Sequence, residues 1–144
     1  MKYTCELVVN LPRQRMIELF DNPDNMYKWQ PGLVSFEHTS GEEGQSGAKS
    51  KLLYDMNGRK VEMVETILSR NLPDEFSGTY EVKGVYNLVE NHFYEDGPER
   101  TRWVMNTEFH FSGLMKVIAF FMGGSFRKQS MEFMQNFKKF AEGQ

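Results

Sequence analysis

The amino-acid sequence predicts an α+β fold, in which a curved antiparallel sheet of about six or seven strands surrounds one long C-terminal helix. Between Leu33 and Phe111, short stretches of β pattern alternate with tight-turn signals. Residues 125–142 instead repeat apolar side chains at the spacing of one helical face. A helix is about 10–12 Å across and such a sheet about 25–30 Å wide, so one helix cannot cover a flat sheet. The sheet must therefore curl, and any space left beneath the helix would be a pocket.

The segment before this region predicts one strand and two short helices. Residues 2–10 alternate in polarity, as a half-buried strand does. Pro12 stands near the start of the first helix, where its missing N–H is not needed. Asp21-Asn22-Pro23 ends that helix and begins the second, which ends at Gln30-Pro31-Gly32. We expect both helices to lie across one end of the curled sheet.

Turn signals divide the remaining region into consecutive strands. The predicted strands are residues 34–38, 50–56, 59–68, 76–82, 85–95 and 100–111. Asn57-Gly58 is typical of a two-residue hairpin, since both positions of that turn favour positive φ. Short turns at Pro73-Asp74, Lys83-Gly84 and Asp96-Gly97 indicate antiparallel neighbours, because parallel strands need long crossovers.

The sequence does not decide which face of strands 59–68 and 85–95 points inward. In the last strand, one face carries Trp103, Met105, Thr107, Phe109 and Phe111, and we expect it to be concave. In strand 59–68 both alternating sets contain apolar residues, and strand 85–95 is equally ambiguous. We take the set with Met63 and Glu65 to face inward.

Composition suits one domain over residues 1–144 with an apolar, adaptable interior. The chain contains twelve Phe, ten Met, six Tyr and two Trp. Flexible thioethers and flat rings suit irregular binding cavities, although they fill gaps in ordinary cores equally well.

Charge and cysteine content argue against several classes of protein. Seventeen basic against twenty acidic residues give a net charge of −3, without the positive stripe that nucleic acid requires. Cys5 is the only cysteine, so it can form no internal disulfide or cysteine-cluster metal site. His38, His92 and His110 lack the spacing of a zinc motif. We expect no metal and no cofactor.

The chain also lacks the signals of membrane insertion or secretion. Residues 114–122 form the longest apolar run, which Lys116 interrupts and which is too short to span a bilayer. The N-terminus has no apolar signal-peptide core. We expect a cytoplasmic protein without integral membrane association.

The order of elements, together with four sequence motifs, resembles the START/Bet v 1-like helix-grip superfamily along the whole chain. The motifs are residues 11–21, Trp29-Gln30-Pro31-Gly32, residues 44–48 and Thr101-Arg102-Trp103. They are most similar to the SRPBCC branch, the polyketide cyclase/dehydratase-like proteins. The resemblance implies a deep, largely hydrophobic pocket for lipids or polyketides. It does not imply an enzyme, since the superfamily contains transporters, sensors, cyclases and co-chaperone domains.

Candidate ligand contacts follow from this pocket and the expected facing. They are Tyr54, Met63, Phe76, Tyr80, Asn87, Trp103, Met105, Thr107, Phe126, Ser130, Phe133 and Phe137. Tyr54, Tyr80 and Asn87 would supply neutral hydrogen bonds. Glu65 is the one candidate catalytic residue: an inward position would raise its pKa, as a general acid or base requires. An outward, salt-bridged glutamate is the more common role.

Three functions therefore remain open. The first is binding or carriage of a hydrophobic small molecule, and the second is a cyclase or dehydratase using acid/base chemistry. The third is an interaction module, a monomer or homodimer that presents residues 114–122 to a partner. Polar groups converging deep in the cavity favour the enzyme, and an all-apolar lining favours the carrier. A filled interior together with exposed Phe120 and Phe121 favours the module. Gly123-Gly124 is either a flexible lip or a tight joint.

Overall fold

The computed structural model describes residues 1–144 as seven strands and four helices. The strands are β1 (Lys2–Val9), β2 (Leu33–Ser40), β3 (Lys49–Met56), β4 (Arg59–Asn71), β5 (Glu75–Val82), β6 (Val85–Glu95) and β7 (Thr101–Phe111). The helices are α1 (Arg13–Phe20), α2 (Pro23–Trp29), α3 (Leu114–Met122) and α4 (Ser125–Glu142). The predicted α+β class, the strand series and the long C-terminal helix are confirmed.

All seven strands form one antiparallel sheet in the order β1-β7-β6-β5-β4-β3-β2. The six strands after α2 follow one another as a meander, because each is joined to the next by a short turn. Strand β1 then pairs with β7, so the first and last strands of the chain are neighbours. The turn between β3 and β4 is the predicted one, with φ of 59° at Asn57 and 87° at Gly58.

A cluster of aromatic side chains closes one end of the concave face. Trp103 and Phe137 have no solvent-accessible surface, and their ring centroids lie 5.5 Å apart in an edge-to-face arrangement. Phe20 of α1 and Trp29 of α2 also pack on Phe137, at 5.6 Å and 5.1 Å. The two short helices therefore lie across one end of the sheet, as predicted. We call this half of the concave face the closed end.

Polar contacts fix the closed end to the sheet. The Trp103 Nε1–H donates to Asn91 Oδ1 at 2.9 Å, so the buried indole is fully satisfied. Arg70 of β4 donates two hydrogen bonds to the Asp21 carboxylate after α1, at 2.5 Å and 2.6 Å. Because a bidentate pair has a defined geometry, it fixes the end of α1 relative to β4.

Residues 114–122, the longest apolar run of the sequence, form helix α3. It has nine residues and is bounded by Gly113, with φ of 60°, and Gly123, with φ of 21°. Helix α4 is recognisable by its alternation of apolar and polar faces, whereas α3 is apolar at nearly every position and shows no such period. None of the four helices combines the length and the apolar character needed to cross a membrane.

Candidate functional site

Cross-strand pairing places four polar side chains in one row on the concave face. Register partners share a face, and inward-facing Phe109 of β7 pairs with Asn87 of β6. The row continues from Asn87 to Tyr80, from Tyr80 to Glu65 and from Glu65 to Ser50. We call Ser50, Glu65, Tyr80 and Asn87 the polar row. It crosses the middle of the sheet, away from the aromatic cluster of the closed end.

The inward facing of Glu65 settles the ambiguity of strand β4. Glu65 is 8% exposed, so the outward, salt-bridged role that is more common for glutamate is wrong here. The inward choice of Met63 and Glu65 is confirmed by their pairing with Leu52 and Ser50. Sequence periodicity could not decide this, because Val64 and Leu68 offer an equally apolar opposite face.

Burial raises the pKa of the Glu65 carboxyl group. The Tyr80 hydroxyl opposes part of this rise through hydrogen bonding, and no cationic side chain contributes. Desolvation disfavours the carboxylate, and no nearby positive charge offsets the penalty. Burial therefore favours the neutral form of the Glu65 carboxyl group.

The two tyrosines near Glu65 remain neutral for the same reason. Burial raises the pKa of Tyr80 well above its usual value, and the Glu65 charge adds to the effect. The pKa of Tyr54 is raised by burial first and by Glu65 second. The Tyr54 hydroxyl donates to Gln30 Oε1 at 2.6 Å, which ties the end of α2 to β3.

The polar row is incompletely satisfied and incompletely covered. The Asn87 side-chain oxygen is buried without a hydrogen-bond partner. Tyr54, Met63, Tyr80 and Asn87 lie on the concave face, yet they are only half-buried. Gly78, on the same face next to the row, contributes no side chain. These inward-facing side chains are therefore partly exposed to solvent at this half of the concave face, which we call the open end.

The predicted ligand contacts divide between the two ends. Trp103, Phe137 and Met105 lie in the packed core, where their side chains are 0%, 0% and 4% exposed. Phe76 packs edge-on against Phe20, and Phe133 against Trp29 with centroids 4.7 Å apart. Both therefore belong to the closed end.

The remaining candidates lie toward the open end. Phe126 of α4 packs against Phe109 and Phe111, with centroids at 5.1 Å and 5.3 Å. Ser130 is already used, since its hydroxyl shares a 2.7 Å hydrogen bond with Tyr3. Thr107 is buried on the concave face, and its hydroxyl oxygen has no hydrogen-bond partner.

Two residues of the site were not assigned a role from sequence. Ser50 alternates with Leu52 and Tyr54, so its facing was readable, but a serine in a strand gives no functional signal. Gln30 stands within a helix-ending motif, and its contact with Tyr54 depends on tertiary structure. No group of three His, Cys, Asp or Glu side chains is placed to hold a metal ion.

Two surface depressions lie outside the concave site. One of about 400 Å³ lies on the convex side, where Lys2, Glu90, Asn106 and Glu108 line it. The other, of about 300 Å³, lies at the β5–β6 turn and includes Val82, Val85 and Phe111. The second marks the edge of the open end, where Phe111 leads into α3.

A curved seven-stranded sheet around a long C-terminal helix, with two short helices after β1, is the helix-grip fold of START/Bet v 1-like proteins. Over residues 2–142 the chain matches the family described as polyketide cyclase/dehydrase and lipid transport, and it belongs to that family. Membership of this family supports hydrophobic ligand binding or cyclase activity as a general class of function. No curated protein matches the chain.

Solved structures resemble the chain over nearly its whole length. A conserved protein from Geobacillus kaustophilus is 15% identical with a TM-score of 0.81, and the match covers 98% of this chain and 95% of that one. The ZhuI aromatase/cyclase from Streptomyces sp. R1128 is 12% identical at 0.78, covering 99% and 93%. Ara h 8.0201 is 13% identical at 0.76, covering 100% and 99%. At these identities the similarity shows the fold.

Proposed function

We propose that this protein binds a hydrophobic small molecule, lipid- or polyketide-like, at the open end of the concave face. The polar row carries the proposal: four polar side chains point inward where half-buried neighbours leave the face incompletely covered. A purely structural sheet gains nothing from a buried carboxyl group without a cation, since its desolvation costs free energy.

The chemistry of the row indicates what the ligand carries. Tyr54, Met63 and Phe126 offer apolar and aromatic surface for most of its body, as ligand pockets generally do. The unpartnered Asn87 oxygen can accept a hydrogen bond, and the Glu65 carboxyl group, whose pKa burial raises, can donate one in its neutral form. The ligand we propose is therefore uncharged and mainly apolar, with at least one hydroxyl or keto group.

A neutral fluorescent probe tests the binding. N-phenyl-1-naphthylamine is apolar, carries one N–H donor and brightens in an apolar environment. We expect saturable binding by the wild-type protein and a loss of at least about ten-fold in affinity for Met63→Trp, because overfilling displaces the ligand. Asn87→Leu should lose about three- to ten-fold, the worth of one hydrogen bond.

The matched control is Glu62→Trp, which adds the same ring to the exposed face of the same strand. It should bind the probe as the wild-type protein does. Equal affinity of the Met63→Trp and Glu62→Trp variants, with both folded by circular dichroism, would refute binding at the open end.

A second function, cyclisation of a polyketide-like substrate, is favoured by one observation. Glu65 is a buried carboxyl group whose pKa is raised beside the Tyr80 hydroxyl, as general acid catalysis at neutral pH requires. In this proposal Glu65 protonates a ketone oxygen as an enol carbon of the same substrate attacks the ketone carbon, and the enol O–H returns a proton to the Glu65 carboxylate. Glu65 then protonates the new hydroxyl group, which leaves as water while the neighbouring carbon gives up a proton to the carboxylate and a C=C bond forms. Mass spectrometry of a linear poly-β-keto thioester incubated with the protein would detect that loss of water. Unchanged turnover by Glu65→Gln would rule out this role.

A further inference from the structure

Helix α3 turns its apolar side chains toward solvent. Phe120 and Phe121 are 83% and 81% exposed, and Leu114 and Val117 are 75% and 54% exposed. Only Ala119 of this helix is buried, and Met115 packs against Gly84 of the β5–β6 turn. A surface helix normally buries its apolar side and exposes a polar one. In α3 the largest apolar side chains are instead among the most exposed.

The charged side chains in the sequence segment that contains α3 all have one sign. Residues 109–131 contain Lys116, Arg127 and Lys128 and no acidic residue, although the whole chain has a net charge of −3. All three cations are exposed, and none belongs to the ion pairs of the structure, which use other basic residues. An exposed apolar helix flanked by unpaired cations is suited to a surface that is apolar inside and anionic outside.

We propose that α3 inserts its apolar side into the surface of an anionic lipid bilayer, while Lys116, Arg127 and Lys128 contact the headgroups. Interfacial helices combine aromatic and aliphatic insertion with electrostatic attraction to anionic lipids in this way. A second copy of the chain fits less well, since pairing two α3 helices would bring two sets of like charges together.

The proposed contact would place the open end at the lipid surface. Met115 of α3 lies against the β5–β6 turn, and the strands joined there carry Tyr80 and Asn87 of the polar row. Gly113 and Gly123 bound the helix at positive φ, a conformation that other residues rarely adopt. This inference stands on the exposed helix and its charges, so it does not depend on the ligand proposed above.

Cosedimentation with vesicles tests the proposal. The probes are vesicles of phosphatidylcholine alone and of phosphatidylcholine with phosphatidylglycerol. We expect the wild-type protein to bind the anionic vesicles more tightly, with affinity falling as salt rises. Phe120→Ser with Phe121→Ser should lose at least about ten-fold in affinity, since each inserted ring contributes by its buried area. Neutralising the three cations to Gln should lose about five-fold for each.

Matched variants separate this surface from general hydrophobicity and from misfolding. Val34→Ser with Leu68→Ser removes two exposed apolar side chains from the sheet and should leave vesicle binding unchanged. Because Trp29 and Trp103 are buried, a Phe120→Trp variant should report insertion as a blue shift of its added emission on anionic vesicles. The serine pair should keep wild-type binding of N-phenyl-1-naphthylamine in solution.

Several outcomes would overturn the proposal. They are absence of wild-type binding to anionic vesicles, equal binding to both vesicle types, and equal binding by the wild-type protein and the serine pair. A Phe120→Trp emission unchanged by vesicles would do the same. If sedimentation equilibrium instead shows a dimer that the serine pair dissociates, α3 covers a second copy rather than a membrane.

Discussion

The closed end and the open end of the concave face are built from the same strands, but each contains an asparagine of β6 and the two asparagines differ in their hydrogen bonding. At the closed end, Asn91 is buried and accepts a hydrogen bond from Trp103 while donating another to the Phe76 carbonyl oxygen. At the open end, four residues away on the same strand, the Asn87 oxygen has no partner. Asn91 therefore forms hydrogen bonds within the core, whereas the side-chain oxygen of Asn87 forms none.

The difference shows how one curled sheet can combine a packed core with the proposed binding site. Side chains from α1, α2 and α4 fill the closed end, because the short helices lie over it. The main packing partners of α1 and α2 are α4, β2 and β6, whereas Glu65 and Tyr80 lie on β4 and β5. Free energy of folding is therefore concentrated at one end, so the other can carry groups that do not favour folding.

The largest expected effect is at the closed end. Trp103→Ala removes a fully buried indole that packs against Phe137, Phe93 and Phe20. We expect a loss of about 3–5 kcal/mol in the free energy of unfolding, measured by urea denaturation. A loss below about 1 kcal/mol would mean that this end is not the rigid half of the molecule.

A smaller effect is expected when the polar group of the closed end is removed. Asn91→Ala leaves the Trp103 N–H buried without an acceptor, which should cost about 1–3 kcal/mol. Asn87→Ala is the matched change at the open end and should cost less, because no hydrogen bond is lost. Equal losses in thermal or urea unfolding would contradict the contrast between the two ends.

The smallest effect should have the opposite sign. The pKa of Glu65 is raised in the folded state, so folding favours its neutral form and the charged form costs stability. Glu65→Gln should therefore stabilise the protein at neutral pH. This gain should shrink as the pH falls and vanish below the ordinary carboxyl pKa of 4.5, where glutamate is neutral in both states.

Unfolding curves of the wild-type and Glu65→Gln proteins between pH 4 and pH 8 would measure this difference. Glu62→Gln, at the exposed neighbouring position, should change stability by less than about 0.5 kcal/mol at any pH. A destabilising Glu65→Gln substitution at neutral pH would show that the carboxylate itself is needed for the fold.

Local patterns were sufficient to predict most of the fold. Asn57-Gly58 specifies its hairpin because few other pairs adopt positive φ twice, and the strict period of residues 125–142 defines α4. Helix α3 could not be predicted in this way, since a segment that is apolar all around has no period. Its exposure also depends on packing, which is decided by distant parts of the chain.

The candidate site was predicted only in part, for a related reason. Tyr80 and Asn87 lie on the expected concave face, but Trp103 and Phe137 are equally inward and are packed core. Aromatic residues look alike in sequence whether they touch a ligand or each other. Only the position of α1 and α2 in three dimensions separates the two groups.

The pairing of β1 with β7 has a consequence for synthesis of the protein. The hydrogen bond from Thr4 to Asn106 spans 102 residues, whereas the hairpins of the meander are local. During translation, β2 to β7 can pair progressively as they emerge, but β1 must wait for the last strand. A nascent chain therefore carries an unpaired N-terminal strand until almost all of it has been made, and that interval is when chaperones would protect it most.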